Sequence, residues 1–215
     1  MSEQVGQREI AYRIFSATPG IIEKQHEDTV LSAFTKGFKD VDVSVMLPIH
    51  SSYSISLTKA QVRLAAMEAF ASFFRSIPKK SQQKYYALIP EVLNILPPIK
   101  ENRESEELTT ALLALIDLAE VAPKMFRPLF HNLVSFSISV IQEKELSDQA
   151  RQNALELMAT FADYAPALCR KDATYTNDMI TQCLSLMTDI GIDDDDAAEW
   201  NASDDVSKTH HCTDR

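Results

Sequence analysis

Glycine is nearly missing from this chain, with 4 residues among 215. So few conformationally free positions argue against sandwiches and barrels built on tight turns, and favour helices joined by short connections. Cysteine is sparse too: Cys169, Cys183 and Cys212 lack paired spacing, which fits a reducing compartment and no disulfide framework. No apolar run approaches the roughly 18–20 residues needed to span a bilayer, so no membrane insertion is expected. The first residues, Met-Ser-Glu-Gln-Val-Gly-Gln-Arg-Glu, lack the layout of a signal peptide. Basic charge is short, since 21 Lys and Arg face 31 Asp and Glu for a net charge of −10. That balance argues against direct nucleic-acid binding, which needs a basic stripe to displace counterions. No nucleophile–base–acid set, Gly-rich phosphate loop or paired Cys motif occurs, so neither an enzyme nor a cofactor is expected. His210-His211-Cys212 are adjacent and cannot close a tetrahedral metal site alone.

What is present is alanine, leucine and methionine at helical spacing, punctuated by proline. Pro19, Pro78, Pro123 and Pro166 each end an amphipathic stretch, and the last two intervals are 45 and 43 residues. Their contexts match: Ser-Ile-Pro-Lys at 76–79, Val-Ala-Pro-Lys at 121–124 and Tyr-Ala-Pro-Ala at 164–167. A recurrence of roughly 40–47 residues built from helix pairs marks HEAT or armadillo arrays. The expected fold is all-α: an α-solenoid of antiparallel helix pairs, a right-handed superhelix of roughly four repeats over residues 1–190. Such a fold offers an extended binding surface instead of one chemical pocket.

The periodicity predicts eight helical stretches. Residues 8–17 place Ile10, Ile14 and Ala17 on one face, and 21–39 carry Ile22, Val30, Leu31, Phe34 and Phe38. Residues 62–75 repeat Val62, Ala65, Ala66, Ala69, Phe70 and Phe73. Residues 82–96 bury Tyr86, Ile89, Leu93 and Leu96 and are stopped by Pro97-Pro98. Stretches at 105–121, 126–142, 147–164 and 174–190 follow, the last using Met179, Ile180, Cys183 and Met187. Aligned on their prolines, the second helices of the pairs superpose, and their alanine seams permit close helix packing.

One interval breaks the ladder. Pro19 and Pro78 lie 59 residues apart, and deleting residues 43–61 restores 40. The segment is rich in Ser and β-branched residues, and we read it as a non-native insert. A translated, unspliced intron would start at a GTG-AGT donor encoding Val43-Ser44 and end at a CAG acceptor encoding Gln61. A second Val-Ser pair at Val206-Ser207 precedes a tail, 207–215, that fits no repeat. The alternative is a genuine 19-residue surface loop, which loop-closure entropy tolerates.

In register, residues 8–40 and 62–205 resemble the importin-β-like karyopherins, the nuclear import receptors, most nearly the karyopherin-β3 branch. The resemblance is carried by Ala66-Met67-Glu68-Ala69-Phe70, Leu93-Asn94-Ile95-Leu96-Pro97-Pro98 and the run from Asp148 to Glu156. Gln182 to Asp189, followed by the acidic segment with Trp200, adds the most specific part. It implies an internal fragment of a longer receptor, without the N-terminal Ran-binding repeats or the C-terminal arch. The implied partners are basic cargo proteins with nuclear localisation signals, Ran-GTP and Phe-Gly nucleoporins. The implied location is cytoplasm and nucleus, shuttling through the nuclear pore. Rival readings are a HEAT scaffold for a phosphatase or chromosome-associated complex, and a nonfunctional truncated product.

Two surfaces emerge as candidate partner sites, and a third as a groove. The first is an acidic loop at 191–206, with Asp193, Asp194, Asp195, Asp196, Glu199, Trp200, Asp204 and Asp205. Its carboxylates attract Lys and Arg over about 8–10 Å, and Trp200 offers a cation–π face. The second is the concave face of the second helices, where Glu68, Asp117, Glu120, Glu156 and Asp163 are expected to meet basic cargo. Grooves between adjacent first helices, around Phe34, Phe38, Tyr86, Leu93, Phe130 and Phe136, suit nucleoporin phenylalanines, although core packing explains most of these residues.

Overall fold

Helices account for almost all of the computed structural model, which describes residues 2–21, 26–39 and 52–189; the side chains of 2–5, 21 and 52–60 are outside that description. Among the described residues the helices are α1 (Ser2–Ala17), α2 (Glu27–Phe38), α3 (Ser52–Ser76), α4 (Lys79–Gln82), α5 (Ile89–Leu93), α6 (Leu96–Glu101), α7 (Ser105–Val121), α8 (Phe130–Ile141), α9 (Asp148–Tyr164), α10 (Pro166–Cys169) and α11 (Tyr175–Thr188). Tighter 3-10 turns at Pro19–Ile21, Gln83–Leu88 and Pro123–Leu129 connect some of them. The chain divides into a unit of Met1–Gln182 and a second of Cys183–Arg215. The described part of the second unit ends at Asp189 and holds the final turns of α11, where Thr188 Oγ1 donates to the Ser185 carbonyl.

In the first unit the proline ladder is a stack of second helices. Helices α1, α3, α7 and α9 each stop two residues before Pro19, Pro78, Pro123 and Pro166, and each packs on the next. The alanine seams lie at these contacts: Ala65, Ala66, Ala69, Ala111, Ala119, Ala150 and Ala154 are all buried. Small side chains let the helix axes approach, and the larger ridges between them interlock. Ser147 caps α9 by accepting from the Ala150 amide at 3.3 Å, which satisfies one of the unpaired amides of the first turn. First helices pack outside this stack: α2 on α3, α6 on α7 and α8 on α9.

Aromatic packing joins the first repeats. Phe34 on α2 meets Phe15 edge-on at 5.5 Å and Phe70 at 5.1 Å between ring centroids, with Phe73 at 5.8 Å. Such ring pairs add about 0.5–1.5 kcal/mol each beyond their burial. Gly37 faces the same layer; a Cβ there would lie 2.5 Å from Tyr12 Oη and 3.0 Å from Ala66 Cβ, so glycine leaves room for the Tyr12 phenol. Tyr85 donates to the Glu27 carbonyl at 3.2 Å and ties α2 to the next first helix. Burial, with Glu27 and Asp28 nearby, pushes its phenol up to about 12, so it stays a neutral donor across the physiological range.

The structure departs from the sequence expectations at four places. The stretch read as one helix over 82–96 is broken into α4, a 3-10 turn, α5 and α6. Pro97 and Pro98 open α6 where they were expected to stop a helix, because first-turn amides need no intrahelical acceptor and proline costs nothing there. Helix α6 then ends with Arg103 at φ 58°, its amide bonded to the Lys100 carbonyl and the Glu104 amide to the Ile99 carbonyl. That is a Schellman turn with arginine in the position that glycine prefers. The third departure is from the surface-loop alternative for 43–61: residues 52–61 belong to α3 and run unbroken into 62–76, whereas 43–51 lie outside the described residues.

The fourth concerns burial at the edges. Ile10 and Ile14 are 56% and 61% exposed, and Ala17 is exposed with them. Their ladder equivalents Ala114 and Leu118 on α7 are 4% and 0% exposed, because α3 covers them. Ile180 and Met187 are exposed at 55% and 69%. Tyr86 and Leu93, expected in the core, are half-exposed.

Candidate functional site

Carboxylates recur at fixed rungs of the second-helix stack. Glu68 and Glu156 each stand ten residues before their proline, and Glu120 and Asp163 each stand three before theirs. Asp117 lies one turn before Glu120 on α7. Matching rungs on parallel-stacked helices point the same way, so the five side chains predicted for the concave face share one side of α3, α7 and α9. Glu156 and Asp163 are exposed, and Glu68, Asp117 and Glu120 are partly buried.

This face is less acidic than the sequence suggests. Arg75, on the same rung as Glu120 and Asp163, reaches from α3 to α7 and pairs with both Asp117 and Glu120, the latter at 3.4 Å. The pairing follows the register, since the same two rungs join α1 to α3 through Ser16 Oγ and Ser72 Oγ at 3.1 Å. Sequence reading missed Arg75 because its partners are 42 and 45 residues away. Superposing the rungs would have revealed it. Burial raises the Asp117 carboxyl above its usual range, Arg75 opposes that rise, and Glu120 adds to it. Burial likewise raises Glu68, against a smaller opposing pull from Arg13. Leu113, on the rung of Glu68 and Glu156, is 48% exposed and adds an apolar spot between the acids.

The second feature is a groove between neighbouring first helices. It holds about 280 Å³ and is lined by Pro90, Leu93, Leu96 and Pro97 from α5–α6, by Leu129, Leu133 and Phe136 from α8 and its approach, and by Asn94 and Asn132. None of these residues is charged. An apolar cavity of roughly 150 Å³ already accommodates a benzene ring, so the space suits one aromatic side chain with part of its main chain. Of the six residues expected around such grooves, Leu93 and Phe136 line this one, and Phe34, Phe38 and Phe130 are core. Tyr86 is half-exposed and outside the lining.

A larger hollow of about 590 Å³ between α1 and α2 has a mixed lining, with Arg8, Asp28, Thr29, Ser32, Ala33 and Lys36 around the Tyr12–Gly37 contact. It contains no residue singled out in the sequence. Asp193, Asp194, Asp195, Asp196, Glu199, Trp200, Asp204 and Asp205 lie outside the described residues, as do His210, His211 and Cys212. Among the described residues no cluster of His, Cys, Asp or Glu is arranged to hold a metal ion, and no helix is long and apolar enough to cross a membrane.

Comparison with known proteins gives a consistent set of likenesses. Residues 1–136 match the family described as "IPO5-like, TPR repeats", and residues 143–214 match "Importin repeat". Importin subunit beta-3 of Saccharomyces cerevisiae is 33% identical over 206 residues, covering 96% of this chain and 17% of the relative. The crystal structure of Kap121p bound to Nup53p superposes with a TM-score of 0.72 at 32% identity, over 90% of this chain and 17% of that one. Kap121p bound to Pho4p gives 0.73 at 34% identity with the same coverage. The chain thus spans about 17% of the length of the relatives it matches.

Proposed function

Because this chain belongs to the IPO5-like importins, with the HEAT-type helical repeats of the karyopherins, we propose that it forms a partner-binding section of a nuclear import receptor. Its charged and apolar faces serve different partners. The exposed face of α3, α7 and α9 receives basic cargo, with Asp117, Glu120, Glu156 and Asp163 supplying the attraction. The acidic segment of Asp193–Asp196, Glu199, Trp200, Asp204 and Asp205 is a separate negative site, binding basic cargo or Ran-GTP in the intact receptor. The groove lined by Leu93 and Phe136 takes phenylalanine from Phe-Gly nucleoporins, as the protein passes between cytoplasm and nucleus.

The observation that carries the cargo reading is that α3, α7 and α9 each carry a carboxylate on these rungs: Glu68 on α3, Asp117 and Glu120 on α7, and Glu156 and Asp163 on α9. A basic segment laid across the stack meets a negative group at each repeat, and no single contact needs to be strong. Kap121p, which resembles this chain, has been crystallised bound to Nup53p, Ste12p and Pho4p, consistent with a scaffold for several partners. The test is fluorescence anisotropy of a labelled lysine-rich peptide titrated with the chain. Binding at low salt that weakens steeply as ionic strength rises supports the reading. Equal binding of an acidic control peptide, or none of the basic one, overturns it.

A further inference from the structure

Neighbouring second helices meet in a repeating register. The residue three before one proline touches the residue six before the next: Ser16 Oγ lies 3.1 Å from Ser72 Oγ between α1 and α3, and Arg75 pairs with Asp117 between α3 and α7. The residue four before one proline meets the residue five before the next, as Phe15 meets Phe73 at 5.8 Å between ring centroids. The two outer members of the stack each keep an open face. On α9 it is formed by Leu155 and Ala159, both partly exposed, and Ala162, which is exposed. Their rung equivalents on α7, where α9 packs, are Leu112, Ile116 and Ala119, and all three are buried. On α1 the open face is that of Ile10 and Ile14.

We propose that these two faces bind each other between copies of the chain, α1 of one molecule packing on α9 of another and continuing the stack. Carried across that junction, the register sets Ala162 against Ile14, and Asp163 against Arg13. An apolar pair is thus followed by a pair of opposite charge. Arg75 and Asp117 occupy the same two rungs between α3 and α7, with the signs exchanged. Arg13 is 62% exposed and bonded only along its own helix, to Glu9 at 2.9 Å, so a second carboxylate can reach it. The arriving α1 would stand to α11 as α9 stands to α8, second helix beside first, and Ile180 of α11 is exposed there. Charge favours this partner over the symmetric alternatives, since α1 against α1 brings arginines together and α9 against α9 brings carboxylates together. The two patches are different surfaces of one molecule, so the contact is heterologous and the assembly open-ended.

Sedimentation velocity on the full chain, over an about hundredfold range of concentration, tests this. The wild type is expected to pass from monomer to larger species as concentration rises. Arg13→Glu and Asp163→Arg each set like charges across the junction and should weaken association at least about tenfold. Mixed in equal amounts, the two variants meet with opposite charges at every junction of an alternating chain, and association should return to within about threefold of wild type. Ile14→Asp should leave the chain monomeric throughout the range. Unchanged circular dichroism checks that these exposed positions leave the fold intact. A wild type that stays monomeric throughout means that something other than a second copy covers these faces, and overturns the proposal. Association undiminished by Asp163→Arg, or not restored by mixing the two charge variants, means that copies meet elsewhere and overturns it too.

Discussion

The two candidate surfaces of this array are built from opposite chemistry. On the second helices, charge is abundant but partly spent internally, because Arg75 already occupies Asp117 and Glu120. Along the first helices, the groove of α5–α6 and α8 has no charge, and its two amides have no partner among the described residues. Charge acts over several ångströms and is screened by salt, so the first surface suits capture of varied basic segments. An apolar groove acts only at contact, so the second suits a short recurring element bound weakly many times. A repeat array can hold both because successive helix pairs present their two sides independently.

The largest effect that separates the two surfaces is expected from Leu93→Asp. Leu93 is partly exposed, and an aspartate there puts a charge into an uncharged groove; circular dichroism checks that the fold is retained. Phe-Gly peptide binding should fall at least about tenfold, while lysine-rich peptide binding stays within about twofold. A parallel loss of both would mean that one surface serves both ligands. Neutralising the other face with Asp117→Asn and Glu120→Gln should cost basic-peptide affinity about threefold to tenfold at low salt, shrinking near 1 M salt where the screening length is about 3 Å. Arg75→Ala should do the reverse, strengthening basic-peptide binding about twofold to threefold, because exposed pairs contribute roughly 0–1 kcal/mol and their release frees two carboxylates. Affinities are read by anisotropy at two ionic strengths.

The smallest effect concerns stability. Glu68 has a folded-state pKa raised above its unfolded value by burial. Its contribution to stability is therefore fully present below the unfolded value and lost as pH rises through the folded one. Glu68→Gln removes a penalty that exists only when the carboxylate is ionised. The variant should melt at a higher temperature than wild type at pH 7, and the difference should vanish below about pH 4. A constant difference across that range would mean that Glu68 acts through packing.

How much of this was legible in the sequence depends on each helix's neighbours. Helices α7 and α9 lie between others, so burial imposes an unbroken 3.6-residue pattern, and their limits were read to within a residue or so. Helix α6 was misread because proline is both a helix breaker and a favoured first-turn residue, and sequence alone does not say which side of it is helical. The apolar face of Ile10 and Ile14 was visible, but its exposure was not, since burial on that rung is conferred by the adjoining helix. The same applies to function. The ladder assigns Glu68, Asp117, Glu120, Glu156 and Asp163 to one side, and the Arg75 pairs to Asp117 and Glu120 follow that register. Arg75 itself could not be picked out, because a polar residue on a helix surface leaves no periodic trace and its pairing is fixed by another repeat. Leu93 and Phe136 were readable as groove residues; Phe34, Phe38 and Phe130 share their character but face inward.

The most direct measurement is a pair of titrations on the same chain: the lysine-rich peptide alone and in saturating Phe-Gly peptide, and the converse. Two separate surfaces predict that both peptides bind and that each affinity changes by less than about twofold when the other site is filled. Mutual displacement, or binding of only one peptide, would contradict a scaffold with a charged face for cargo and an apolar groove for nucleoporins.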